Sequence, residues 1–182
     1  MLKTYINTMW TLGLLKTMKD PKYVVYSDHK IVMIKDVYPK AKHHYLVISH
    51  EDLAGIKDVK SKHIPLLEYM EQKAKDYVTK NAAGIEFKYG YHSKPSMHRL
   101  HLHVISTDMQ SPSLKTKKHW NSFTTKFFLI SKDVIRELKS EGKIKLPDAT
   151  ECERLLNQDL KCHKCGIALA NMPKLKDHIL TH

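Results

Sequence analysis

The run His98-Arg99-Leu100-His101-Leu102-His103-Val104-Ile105 decides how the chain is read. Side chains on a strand alternate between faces, so His101 and His103 share one face and project about 7 Å apart along it. Leu100, Leu102 and Val104 give the same strand an apolar back. Strict alternation also puts Arg99 on the histidine face and turns His98 the other way. Three chemistries suit such a pair. It can be two histidines on a half-exposed strand. It can be a zinc pair, with His92 as a third ligand. Or one neutral imidazole can attack phosphorus while its neighbour holds the phosphate oxygens.

Working outward, the flanking segments supply a sheet for this strand. Tyr23–Tyr26, Lys30–Ile34, His44–Ser49 and Ile85–Tyr91 are short runs rich in β-formers, bounded by polar turns. Between them, Ile64, Leu67, Met70, Ala74, Tyr77 and Val78 recur at three and four, which predicts an amphipathic helix over Ser61–Val78, with Ser61 as its cap. A first helix is expected over Tyr5–Met18, ended by Asp20-Pro21. After the histidine strand, Asp108–Trp120 reads as a lysine-rich loop. Phe123–Ile130 is apolar, Ser131–Lys139 a short helix and Glu151–Leu160 one more. The expected class is α+β: an antiparallel sheet with helices, followed by a small appendix.

Composition limits the function classes. The 182 residues carry 31 Lys+Arg against 19 Asp+Glu, a net charge of +12. That excess suits a polyanion such as nucleic acid, or simply solubility. Three cysteines cannot close a disulfide framework, so a reducing compartment is expected. No stretch approaches the roughly 18 apolar residues of a membrane span, and no membrane partner is expected. Met9–Leu15 is too short and too broken for a secretory signal, although the absence of acids before Asp20 is compatible with a mitochondrial address.

The last 22 residues carry a second pattern. Cys162-x2-Cys165-x12-His178-x3-His182 has the spacing of a ββα zinc finger, with Leu169 and Leu175 at its two core positions and Pro173 near its helix start. A unit this small needs the metal to fold, which implies one structural zinc per chain. It is expected to form a separate unit. Lys174 and Lys176 favour phosphate contact, as do Lys94, Lys115, Lys117 and Lys118 near the histidine strand. Trp10 is a candidate for stacking on a base.

Resemblance narrows the three chemistries. The histidine run, with Gly90-Tyr91-His92-Ser93-Lys94-Pro95-Ser96-Met97 before it and Ser111-Pro112-Ser113-Leu114-Lys115-Thr116-Lys117-Lys118-His119-Trp120-Asn121-Ser122-Phe123 after it, resembles the histidine-triad (HIT) superfamily and, within it, the aprataxin family. Upstream, Ile34-Lys35-Asp36-Val37-Tyr38-Pro39-Lys40-Ala41-Lys42-His43-His44-Tyr45-Leu46-Val47 is similar to the nucleotide-binding region of that superfamily. The likeness covers nearly the whole chain, with one departure: the first histidine of the triad is Arg99. The resemblance implies a HIT-type domain over 1–150, a helical linker over 151–160 and the finger over 161–182. It implies that His101 is a nucleophile forming an adenylyl-histidine and that His103 and Ser96 hold the α-phosphate. His92 would sit at the leaving phosphate, Asp36 at the ribose, and His44 would support the pocket. The implied reaction is DNA repair, removing AMP from 5′-adenylated DNA in the nucleus, on nicks or RNA–DNA junctions. The forkhead-associated domain that some animal members carry is expected to be missing. The alternatives are a HIT hydrolase of small nucleoside phosphoramidates or dinucleoside polyphosphates, and a non-catalytic nucleic-acid-binding protein. Arg99, unable to act as acid or base near neutrality, is expected to be dispensable.

Overall fold

The computed structural model describes residues 13–182, so most of the expected first helix and the candidate wedge Trp10 lie outside the described residues. A short helix α1 (Gly13–Thr17) leads into strands β1 (Val24–Ser27), β2 (Ile31–Lys35) and β3 (His44–Ser49). Helix α2 (Ile64–Asn81) follows, then β4 (Phe87–His92) and β5 (His101–Ser106). The remainder is α3 (Lys117–Thr124), β6 (Phe128–Ile130), α4 (Ser131–Glu141), α5 (Ala149–Asn157) and α6 (Met172–Ile179). The six strands form one sheet in the order β1-β2-β3-β5-β4-β6, and every recorded pairing is antiparallel.

The β1–β2 connection is tight because Asp28 caps it. One carboxylate oxygen accepts the backbone N–H groups of Lys30 and Ile31, and the other accepts the hydroxyls of Tyr26 and Tyr69. These donors overcome burial and hold the Asp28 carboxyl well below the usual carboxylate range. Since Tyr69 lies on α2, the same carboxylate ties that helix to the sheet edge.

Alternation along the central strands sorts their side chains into two layers. Leu102 and Val104 of β5 pack with Met33, Val47, Leu67, Met70, Val134 and Leu138, so α2 and α4 cover one face. On the opposite face, Val32, Ile34, Leu46 and Ile48 join Leu14 of α1. Ile105, Trp120, Phe123 and Phe128 form a second patch with residues of the finger. The histidines lie on this second face, between the two apolar patches.

Several local expectations change. Ser61 does not cap α2: a 3-10 turn, Ser61–His63, precedes the helix, and the Ser61 hydroxyl donates to the Gly142 carbonyl. The lysine-rich loop becomes helix at Lys117, because the Thr116 side chain accepts the His119 N–H and starts α3. α4 ends at Gly142, whose φ of 70° suits the glycine that closes a helix.

Candidate active site and metal centre

β5 places His101 and His103 on the second face, both at least 95% buried. Cross-strand register then brings the partners in. On β3, His44 pairs with Ile105 while its ring reaches diagonally to His103, Nε2 to Nδ1 at 3.0 Å. On β4, Gly90 pairs with His103 and leaves room above it, which the Phe128 ring fills. A Cβ at Gly90 would sit 2.7 Å from that ring and 2.4 Å from the Leu129 carbonyl oxygen. His92, two residues on, stacks near His103 with ring centroids 4.3 Å apart.

The hydrogen bonds settle which ring nitrogens carry protons. A backbone carbonyl only accepts, so His101 donates Nδ1–H to the Arg99 carbonyl at 2.8 Å and keeps its lone pair on Nε2. A backbone N–H only donates, so Lys40 N, at 3.1 Å, makes His44 Nδ1 an acceptor. His44 therefore donates Nε2–H to His103, and His103 in turn carries its proton on Nε2. The Asp36 carboxylate lies farther from His44 Nδ1, at 3.4 Å, and competes for it only when His44 is protonated. Burial keeps the cluster neutral: it pushes His44 down to about 4 and His92 down to about 3, and lowers His101 and His103 as well. His103 Nε2 and His92 Nε2 are buried and find no partner among the described residues.

All these rings line a cavity of about 580 Å³, within the size range of small-molecule sites. Asp36, His44, His92, Ser96, His101 and His103 meet there, joined by Lys94 and Lys118 at the rim and by Lys40 and His119, which the sequence reading did not single out. Lys40 could have been found from its place beside Asp36; His119 could not, since only the start of α3 turns it inward. A larger cleft, about 970 Å³, lies between β6, α4, α5 and the finger, with a lining of mixed charge and none of these histidines.

Arg99 is not where alternation put it. It precedes β5, and its φ of 97° breaks the two-residue period before the strand begins. Its guanidinium leaves the cavity and donates to the carbonyls of His50 and Glu51. The lysines also differ from one another. Lys117 pairs with Asp159 and Lys118 with Glu153, so each shares its charge with an acid. Lys176 donates to the Ser111 carbonyl and docks the finger, whereas Lys94, Lys115 and Lys174 are exposed.

In the finger, the donor atoms of Cys162, Cys165, His178 and His182 lie within 4.8 Å of one another. Tetrahedral zinc with ordinary bond lengths spaces two nitrogens about 3.3 Å apart, and a sulfur and a nitrogen about 3.5 Å. His178 and His182 Nε2 are 3.2 Å apart, and the Cys165–His178 and Cys162–His182 pairs 3.1 and 3.4 Å. The four residues therefore fit zinc. Burial raises the Cys162 thiol, but the N–H groups of Cys165 and Lys164 outweigh it and lower it, toward the thiolate that zinc needs.

Residues 9–119 match the family described as scavenger mRNA decapping enzyme C-term binding, and residues 124–182 match the C2HE / C2H2 / C2HC zinc-binding finger. An aprataxin-like protein of Schizosaccharomyces pombe is 31% identical over 182 residues, covering 87% of this chain and 73% of the relative. The chain belongs to the aprataxin family. Its sheet and finger superpose together on the aprataxin ortholog Hnt3 in complex with DNA, with a TM-score of 0.73 and 26% identity, over 100% of this chain and 94% of that one. Aprataxin of Gallus gallus is 46% identical over 95% of this chain but 55% of its own length, so the chain spans about half of that relative. The antiparallel HIT-type sheet with a C-terminal zinc finger is thus the aprataxin fold, and the finger is a zinc site of its family.

Proposed function

We propose that the chain removes AMP from the 5′ end of adenylated DNA. The observation that carries this reading is the lone pair of His101 Nε2, set by the Arg99 carbonyl, in the same cavity as the unpartnered Nε2–H of His103. His101 Nε2 attacks the phosphorus of the adenylate, and the bond from that phosphorus to the bridging oxygen breaks. The DNA leaves with a 5′-phosphate, and AMP stays on His101 as a phosphoramidate. Water then attacks the same phosphorus, releasing AMP and regenerating the imidazole. His103 Nε2–H stabilises charge on the non-bridging oxygens, with Ser96 beside it. Phosphate, with a second pKa near 6, is a good leaving group, so the neutral His92 needs only to solvate it. Asp36 holds the ribose, and His44 fixes the His103 tautomer.

The DNA reading draws on the net charge of +12, on exposed Lys94, Lys115 and Lys174, and on the relative solved with DNA and guanosine. Lys117, Lys118 and Lys176 contribute less, being partly neutralised or engaged. The one zinc ion per chain is structural, and nuclear DNA nicks and RNA–DNA junctions are the proposed sites of action. Initial rates on a 5′-adenylated nicked duplex and on adenosine phosphoramidate test the assignment. The proposal expects kcat/KM to favour the duplex at least tenfold. A preference for the free phosphoramidate makes the chain a small-molecule hydrolase, and binding without turnover makes it a nucleic-acid-binding protein.

A further inference from the structure

We infer that Arg99 is a positioning residue for His101, acting through its own backbone carbonyl. This inference rests on the reading of His101 as the nucleophile. The Arg99 φ of 97° is one that residues with a side chain rarely adopt. Such a conformation persists only where its surroundings over-determine it. Here they do so from both ends of the residue. The Arg99 N–H donates to the Ala54 carbonyl at 3.0 Å, and the next N–H, of Leu100, donates to the Leu53 carbonyl at 2.7 Å. Nη1 donates to the carbonyls of His50 and Glu51, both at 3.1 Å, and lies 3.6 Å from the Asp52 carboxylate. Backbone and side chain therefore bind the same loop, the five residues that follow β3. The one polar main-chain group of Arg99 left facing inward is its carbonyl, and that carbonyl takes the Nδ1–H of His101 at 2.8 Å.

The consequence is chemical. His101 can attack only with an unprotonated Nε2, and the acceptor at Nδ1 is what assigns its proton to the other nitrogen. Releasing the guanidinium leaves only the two backbone bonds, to Ala54 and Leu53, to hold Arg99 at its φ of 97°. The carbonyl can then turn away, and the imidazole loses both its orientation and its tautomer. Arginine suits this task through its reach: all three contacts fall on Nη1, the far end of the side chain, which carries two N–H donors for the two carbonyls. A lysine keeps the charge and its N–H donors on a shorter side chain. The expectation from sequence, that Arg99 is dispensable, concerned a side chain in the cavity; the side chain instead works on the far side of the backbone.

The test compares Arg99→Ala, Arg99→Gln and Arg99→Lys with the unaltered chain, zinc-loaded. Two-dimensional 15N NMR of the histidine rings reports the His101 tautomer without any substrate. The unaltered chain should show the Nδ1–H form. Arg99→Ala should show a mixture, and Arg99→Lys an intermediate spectrum. With adenylated duplex, kcat for Arg99→Ala should fall roughly 10- to 100-fold, the scale of a misplaced reacting group, with KM within about twofold and with partial recovery in Arg99→Lys. Should Arg99→Ala fail to fold, Arg99→Gln, which keeps a polar side chain without the charge or the reach, takes its place. A His101 tautomer unchanged in the folded variants, or kcat within twofold of the unaltered chain, overturns the inference. An unaltered chain that binds but never turns over adenylated DNA refutes the proposed function instead, and the NMR comparison still decides Arg99.

Discussion

Neutral imidazole is the working form at every histidine of the pocket, and neutrality is a product of burial. His103 Nε2–H is a donor waiting for an acceptor, since the protein supplies none among the described residues. Its proposed role is to stabilise transition-state charge, so His103→Ala should cost about 3 kcal/mol, a ~100-fold fall in kcat, with KM little changed. Steady-state kinetics check this, and a loss carried by KM alone would move His103 to ground-state binding. Depressed pKa values also couple stability to pH. His44 titrates at about 4 in the fold, against about 6.5 for an unperturbed histidine. The unfolded chain therefore binds the extra proton first. The stabilisation is complete above pH 6.5 and declines as pH falls toward 4. His92, at about 3, acts in the same direction. His44→Gln should show a flatter loss of urea stability between pH 6.5 and 4 than the unaltered chain, since every other group is common to both and cancels. Parallel curves would deny His44 its buried neutral state.

At the scale of elements, the alternating pattern of β5 was legible in the sequence because a strand buried on both sides obeys period two without exception. The positions of His44, His92 and Asp36 were legible only through resemblance, since cross-strand register is a long-range property that no local pattern encodes. Arg99 was misplaced for a physical reason: one residue with positive φ ends the alternation, and nothing about an arginine announces that conformation. Gly90 went unremarked because its meaning depends on β6, about 40 residues later in the chain. Its Cβ would strike the Phe128 ring and the β6 backbone. Gly90→Ala should therefore push β6 outward and destabilise the chain by about 1–3 kcal/mol, as overpacking does. Because Phe128 also packs beside His103, kcat should fall as well. A thermal melt and a rate measured on the same sample check both, and an unchanged melting temperature would show that β6 yields freely.

Across the whole molecule, the finger does not stand apart. Cys162, Leu175 and Ile179 share one apolar cluster with Trp120, Phe123 and Phe128, and the Trp120 indole donates to the Lys161 carbonyl at 3.0 Å. His163 of the finger meets the Thr107 carbonyl just beyond β5. Spacing alone revealed the zinc ligands but not this shared core, because its other half lies some 40 residues earlier. The consequence reverses the modular expectation. Phe123 touches the rings of both His92 and His103, so losing zinc should loosen the pocket as well as the finger. Stripping zinc with a chelator should lower the melting temperature and slow turnover even of a small adenylated substrate, and restoring zinc should recover both. Full activity on the small substrate without zinc would make the finger an independent module.

The most direct test of the account is a search for AMP on His101. A 5′-adenylated nicked duplex is mixed with stoichiometric enzyme, quenched under alkaline denaturing conditions that spare phosphoramidates, and the digested peptides are mapped by mass spectrometry. The account predicts an adenylyl group on the peptide carrying His101 that appears and decays within a turnover, and that is absent from His101→Ala, which should release no AMP while still binding DNA. AMP released at an undiminished rate by His101→Ala, or an adduct mapped to another residue, would contradict it.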